Sequence, residues 1–410
     1  MKSQIFPPAP VRVGKRVAVA RWALVASCMF ALAGCSTVKG WFDGGDSEKA
    51  KAKRAAEPAE LVEFSPSASP AKIWSASAGK GEDRLGLRQA PAIADGRVYA
   101  AAVDGGVRAL DLQTGTALWR HDSDLRLTGG PGVGDGLVVV GGMKGEVVAL
   151  DAATGAERWQ AKVVSEVVAA PAVGQGMVLV RSNDGRVTAF DADTGERRWF
   201  WNRELPTLTV RGNDAPVLGP GFVFVGNDDG TLAALSLADG RPLWDVPVAQ
   251  PDGRTELDRM ADIDGTPILD GTVLYASSYK QVTMAIDAPS GRPIWASDHG
   301  GSGRLALATD KVVASDRNGS VWGIDRSSGS AAWEQPGLAR RDLTGVAVHG
   351  DFAVVGDFDG YLHWLRLDSG DFAARERVGR SAIKAPPVVA DGIMVVQNVK
   401  GDLSAWRITP

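Results

Sequence analysis

From about residue 85 to the C-terminus, the apolar positions fall in short runs, each closed by a glycine-containing pair, and the order of runs and pairs repeats. One unit reads proline, apolar run, Asp-Gly, apolar run, Asp-Gly, then Val-x-Ala-Leu-Asp-x-x-Thr-Gly-x-x-x-Trp. Its last part stands clearly at Val107–Trp119, Val147–Trp159 and Val187–Trp199. Weaker copies follow at Ser236…Gly240…Trp244, Asp287…Gly291…Trp295 and Asp325…Gly329…Trp333. The copy at Arg366…Gly370…Ala374 has lost both acid and tryptophan, and a half-copy, Leu403-Ser-Ala-Trp-Arg407, ends the chain. Spacings from Asp111 to Arg407 are 40, 40, 45, 51, 38, 41 and 41 residues.

Asp-Gly between two apolar runs supplies the positive φ angles of a type I′ turn, so each pair predicts a hairpin. Thr-Gly marks a third turn, giving four antiparallel strands per unit. A single four-stranded sheet cannot bury both faces, so the units must stack in a ring, with the tryptophan of each outer strand covering the seam to its neighbour. A period near 40 with four strands is the mark of a propeller. The expected fold is therefore all-β, an eight-bladed β-propeller over residues 71–410. Residues 71–76, with Trp74, are expected to supply the missing outer strand of the last blade and close the ring. Glycine, at 50 of 410 residues, fits this turn-rich plan and is far above its average share.

Residues 1–34 hold Lys2, Arg12, Lys15, Arg16 and Arg21 and no acid, ahead of the apolar stretch Trp22–Gly34. That stretch is too short to span a bilayer permanently and fits a secretion signal. It ends in Leu32-Ala33-Gly34-Cys35, which resembles the lipobox of bacterial lipoproteins. The resemblance implies cleavage before Cys35, lipidation of that residue, and, with Ser36 following, an outer-membrane anchor facing the periplasm. Residues 35–70 are charged or rich in Ser and Pro and are expected to act as a tether. Removal of the signal takes Cys28 and leaves 40 basic against 49 acidic residues, a formal charge of −9. Such a surface speaks against nucleic acid and against anionic lipid as partners.

The Ala-Leu-Asp-x-x-Thr-Gly-x-x-x-Trp repeat resembles the pyrroloquinoline-quinone-like propellers, a family of both quinoprotein dehydrogenases and non-catalytic scaffolds. Together with the lipobox, the tether and eight blades, it is similar to the scaffold lipoproteins of the outer-membrane β-barrel assembly machine.

Function is expected where the repeat is broken. From outer-strand tryptophan to the next blade's proline the distance is 12 residues after Trp119 and after Trp159, but 17 after Trp199 and 23 after Trp244. Both insertions occupy the same connection in adjacent blades, so they should project side by side from one face, the usual binding face of a repeat protein. The first reads Leu205-Pro-Thr-Leu208-Thr-Val210-Arg211-Gly, an apolar strip or exposed edge with an arginine anchor. The second, Asp252 to Gly265, is acidic. The family resemblance implies that Leu208, Val210, Arg211, Asp262 and Asp264 contact the periplasmic POTRA domains of a BamA-type insertase. It further implies indirect association with the other lipoproteins of the machine, unfolded barrel proteins as further candidate partners, and a monomer within the complex. The reading of the residues alone leaves another arrangement open, with Arg211 paired to Asp262 and Asp264 inside the molecule.

Catalytic chemistry finds little support. After signal removal no vicinal cysteine pair remains of the kind many quinoproteins stack on their cofactor. The four histidines, His121, His299, His349 and His363, lack metal-ligand spacing. Asp258…Asp262-Ile-Asp264-Gly265 does not meet the EF-hand pattern. Gly130-Pro-Gly132-Val-Gly134 leads into a strand, so it forms no phosphate cradle. No cofactor is expected. A quinone-dependent dehydrogenase and an envelope scaffold for a different partner stand as the alternatives.

Overall fold

The computed structural model describes residues 57–81, 84–209, 215–301 and 303–409. The signal stretch, Cys35 and the tether up to residue 56 lie outside the described residues, as do Val210 and Arg211. Within them every regular element is a strand.

The strands form eight four-stranded antiparallel sheets. Blades 1 to 7 are each continuous in sequence: Ala92–His121, Gly132–Lys162, Ala172–Asn202, Val217–Pro247, Ile268–Ser297, Ala306–Gln335 and Ala347–Arg377. Blade 8 takes three strands from Val388–Thr409 and its outer strand from Ser69–Ser77, in register Ser69↔Thr409 to Ser77↔Asp402. The two chain ends close the ring, as the half-copy of the repeat predicts.

Inner hairpins obey the Asp-Gly rule. Asp95 and Gly96 both take positive φ, 49° and 68°, as do Asp135–Gly136 and Asp391–Gly392. The next Asp-Gly pair in the unit builds a different turn. At Asp184-Gly185 only the glycine is left-handed, and its N–H donates to the carbonyl of Ser182. This is a three-residue loop with a glycine bulge rather than the expected type I′ turn.

The central strands of each blade are buried over most of their length, and apolar clusters fill the spaces between adjacent blades. The outer strands alternate, with the tryptophan inward and its neighbours exposed. Strand direction alternates within each blade. The turn between second and third strands and the connection to the next blade therefore emerge on one common face. On that face lie both enlarged connections, 203–216 and 248–267.

The N-terminal segment differs from expectation. The residues from Glu57 on do not hang as a tether. Ala59 N–H donates to Ala339 O, and Ser67 and Ala68 N–H both donate to Ala373 O, so the chain lies along blade 7 before entering blade 8.

Candidate functional site

The first enlarged connection begins at Arg203, which ties it to blade 4. Its guanidinium pairs with Asp229 and Asp245, each at 2.7 Å. From this base Leu205 and Leu208 point outward, and Leu208 is 42% exposed. Leu208 is one of several large apolar side chains left exposed on the wheel; what sets it apart, with Leu205 and Leu257, is its place on an enlarged connection, where a partner can reach it.

The second connection has an exposed half and a buried half. Its outer half is a small self-supporting loop. Asp258 N–H donates to Thr255 Oγ1, Thr255 N–H donates back to Asp258 Oδ2 (both 3.1 Å), and Arg259 pairs with Glu256. Lys280 pins Asp252 from blade 5. These bonds hold the Asp252 and Asp258 carboxyls below the ordinary range, so both acids stay ionised beside Arg254 and Arg259. Leu257 stands at its tip, 62% exposed among acids.

The inner half, Met260–Asp264, turns into the wheel. Ile263 N–H donates to Asn227 O, and its side chain packs in the core cluster of Phe224 and Leu232. Asp262 and Asp264 are buried as a consequence. The expectation of an acidic rim therefore applies to Asp252, Glu256 and Asp258; Asp262 and Asp264 form its floor. The physical cause is Ile263. Burying it fixes the backbone so that its neighbours follow it inward, and Asp262 O also accepts from Tyr279 N–H at 2.8 Å.

Below the floor, Asp228, Asp262 and Asp264 bring carboxylate oxygens within 4.8 Å of one another. Arg181 pairs with Asp228 at 2.9 Å, both buried. Both oxygens of Asp264 lack a hydrogen-bond partner. Burial first, and Asp262 beside it, push the Asp264 carboxyl well above its ordinary value. Asp264 also lines the central cavity, of about 670 Å³. The set is poor for calcium, which takes six to eight oxygens, because one of its three acids is already bound to a guanidinium. Basic side chains already act on it, Arg181 through Asp228 and Arg88 through the charge it sets near Asp264.

Of the five residues expected at the site, the structure brings Asp262 and Asp264 together and leaves Leu208 on the same face. Sequence reasoning missed Leu257, Arg181 and Asp228. The last two carry a visible signal: Arg181 ends the apolar run Met177-Val-Leu-Val where blades 2 and 4 have Gly141 and Gly226, and Asp228 is an extra acid before the Asp229-Gly230 turn.

Residues 59–125 and 103–335 match the family profile described as outer membrane protein assembly factor BamB. The chain is 60% identical over 398 residues to the outer membrane protein assembly factor BamB of Xanthomonas campestris pv. campestris, covering 95% of this chain and 97% of that protein. It is 43% identical over 356 residues to that of Pseudomonas aeruginosa, covering 87% and 94%. The crystal structure of BamB from Moraxella catarrhalis superposes with a TM-score of 0.76 at 28% identity, covering 83% of this chain and all of that one. The quinohemoprotein alcohol dehydrogenase of Comamonas testosteroni, at 16% identity and a TM-score of 0.64, shares the fold alone.

Proposed function

Since the chain belongs to the family of the outer membrane protein assembly factor BamB, we propose that its wheel is a scaffold binding the POTRA domains of a BamA-type insertase through the two enlarged connections. The protein is an outer membrane protein assembly factor and not an enzyme. In this reading Leu208, Val210 and Arg211 touch the partner, and Leu257 adds a second apolar contact. Asp262 and Asp264 act from beneath, as the buried floor of the second connection. Residues 1–34 are the signal, Cys35 carries the lipid, and the wheel faces the periplasm as a monomer within the complex.

The observation that carries the proposal is the exposure of Leu208 and Leu257 on neighbouring enlarged connections of one face, with Asp252, Glu256 and Asp258 on the same connection as Leu257. Exposed leucines on a rim of mixed charge, with Asp252, Glu256 and Asp258 beside Arg254 and Arg259, fit a folded partner that presents an apolar patch flanked by polar groups. Leu208→Asp is expected to weaken binding of purified POTRA domains by about 2–4 kcal/mol, the loss of a central interface anchor. Calorimetric titration measures it. Unchanged affinity in a variant with unchanged thermal melting would overturn the assignment.

A further inference from the structure

Blade 7 carries, on its outer side, a segment that belongs to no blade. Between Glu57 and Ala68 the chain runs along the outer strand Phe372–Arg377 before reversing into Ser69–Ser77. Phe64 stacks on Phe372 with ring centroids 5.4 Å apart, and the Arg375 guanidinium lies over both rings. Leu61 packs against the core between blades 6 and 7.

The backbone of this segment is gripped by arginines held ready for it. Arg340 Nε donates to Glu57 O at 2.7 Å, Arg341 Nη1 to Ala59 O at 3.0 Å, and Arg375 Nη1 to Val62 O at 2.9 Å. Two of the three are oriented from inside the wheel. The buried carboxylate of Asp357 accepts from Arg341 Nε and from His363 Nε2, and His363 Nδ1 in turn accepts from Arg375 Nε. Buried charged donors need acceptors, and here part of the need is met by the carbonyls of the segment. This is a receptor built for one occupant, the chain's own N-terminal strap.

Position gives the strap a purpose. It lies immediately before the strand that closes the ring. Pulled directly, Ser69–Ser77 would peel from Asp402–Thr409 one bond at a time, and the wheel would open. Arg340 and Arg341 lie in the connection 336–346, on the face that carries the enlarged connections, so the chain leaves the wheel on that face. Between Cys35 and Glu57 the chain can span at most about 75 Å when fully extended.

We propose that Glu57–Ala68 is a clasp, which takes the pull of the chain's anchored N-terminus on blade 7 and fixes its exit on the face of the enlarged connections. The clasp does not depend on the identity of the docked partner, and its tests involve no POTRA domain.

The full-length lipidated protein in vesicles is treated with a glutamate-specific protease. Glu60 and Glu63 have exposed side chains within the strap, so only docking of the backbone can protect them. Cleavage there is expected at least tenfold slower than in the double variant Leu61→Asp, Phe64→Ser, with equal melting of the two wheels. Equal cleavage rates would overturn the clasp. Arg340→Ala, which removes only an outer contact, should accelerate cleavage by a smaller factor and serves if the double variant folds poorly. Single-molecule pulling from residue 35 of the Cys35→Ala chain reads the mechanical part. An early rupture that frees about 12 residues should precede ring opening and vanish in the double variant. A wild-type trace in which the ring opens with no earlier step would also overturn it.

Discussion

Seven of the eight seams of the wheel are built alike and one is not. Trp74, Trp119, Trp159, Trp199, Trp244, Trp295 and Trp333 each donate their indole N–H to a backbone carbonyl of the next blade, at 2.8–3.0 Å. Each ring lies on a left-handed glycine of that blade's last turn; the ring of Trp199, for example, covers Gly240, whose φ is 72°. Between blades 7 and 8 the outer strand has Ala374 instead. The seam is filled from within by Trp364, fully buried and edge-on to Trp406 at 6.0 Å. Its indole donates to His349 Nδ1 at 3.4 Å, and His349 Nε2 donates to Gly392 O of blade 8 at 3.1 Å. The difference follows from how the ring closes. Blade 8 takes its outer strand from the other end of the chain, so it has no last turn, hence no glycine platform. A tryptophan at position 374 would have nothing to lie on.

The contrast is tested most strongly at Trp364. Its replacement by alanine removes the side chain that fills the one seam without an outer lock and strands His349. The expected loss is about 3–5 kcal/mol of unfolding free energy in denaturant titration. Trp199→Ala, at a regular seam where the ring keeps 9% exposure, is expected to cost less; a reversed order would mean that the outer lock, and not the buried filler, dominates seam stability. A smaller effect isolates the platform. Gly240→Ala places a Cβ 2.5 Å from the Trp199 ring, whereas Gly96→Ala meets nothing within 4 Å at nearly the same φ of 68°. Both pay about 1–2 kcal/mol for the left-handed backbone. Only Gly240→Ala should also shift the indole, seen as a change in tryptophan fluorescence. Equal losses with unchanged fluorescence would show that the ring does not need the glycine.

This division also explains what the sequence could reveal. The regular seams were legible because the lock is local: tryptophan and glycine recur at fixed offsets, and the acid of the Thr-Gly turn binds its own loop, as Asp111 does with Thr114. Ring closure was legible because Trp74 stood where the half-copy lacked its partner. The strap was not. Leu61 and Phe64 are too few to make a period, and the groups that hold them lie some 280–310 residues downstream. The site was legible in the length of its connections and in Leu208. The inward turn of Asp262 and Asp264 was hidden, because carboxylates are read as surface unless a buried neighbour such as Ile263 drags them in. Resemblance to a family points to the positions but not to their depth.

The smallest effect is the most selective. A regular seam closes through an indole, which does not titrate, while the seventh-to-eighth seam closes through histidine. At His349 and His363 alike the Nδ1 atom accepts a hydrogen bond, from Trp364 and from Arg375, so a second proton would set donor against donor. Burial holds both histidines below the usual value. The sign follows: below about pH 6.5 the unfolded chain takes up protons that His349 in the seam and His363 behind the strap refuse in the folded state, so stability falls as pH falls towards the folded values. The slope can reach at most about 1.4 kcal/mol per pH unit for each histidine. Asp264 works against this, since its raised carboxyl favours the folded state as pH falls. Comparing wild type with His349→Gln, His363→Gln cancels that contribution. Melting temperature followed from pH 7 to pH 5 should drop more steeply in the wild type than in the double variant. Parallel curves would mean that neither His349 of that seam nor His363 behind the strap makes the wheel sensitive to protons, leaving it as indifferent there as at the seven seams locked by tryptophan.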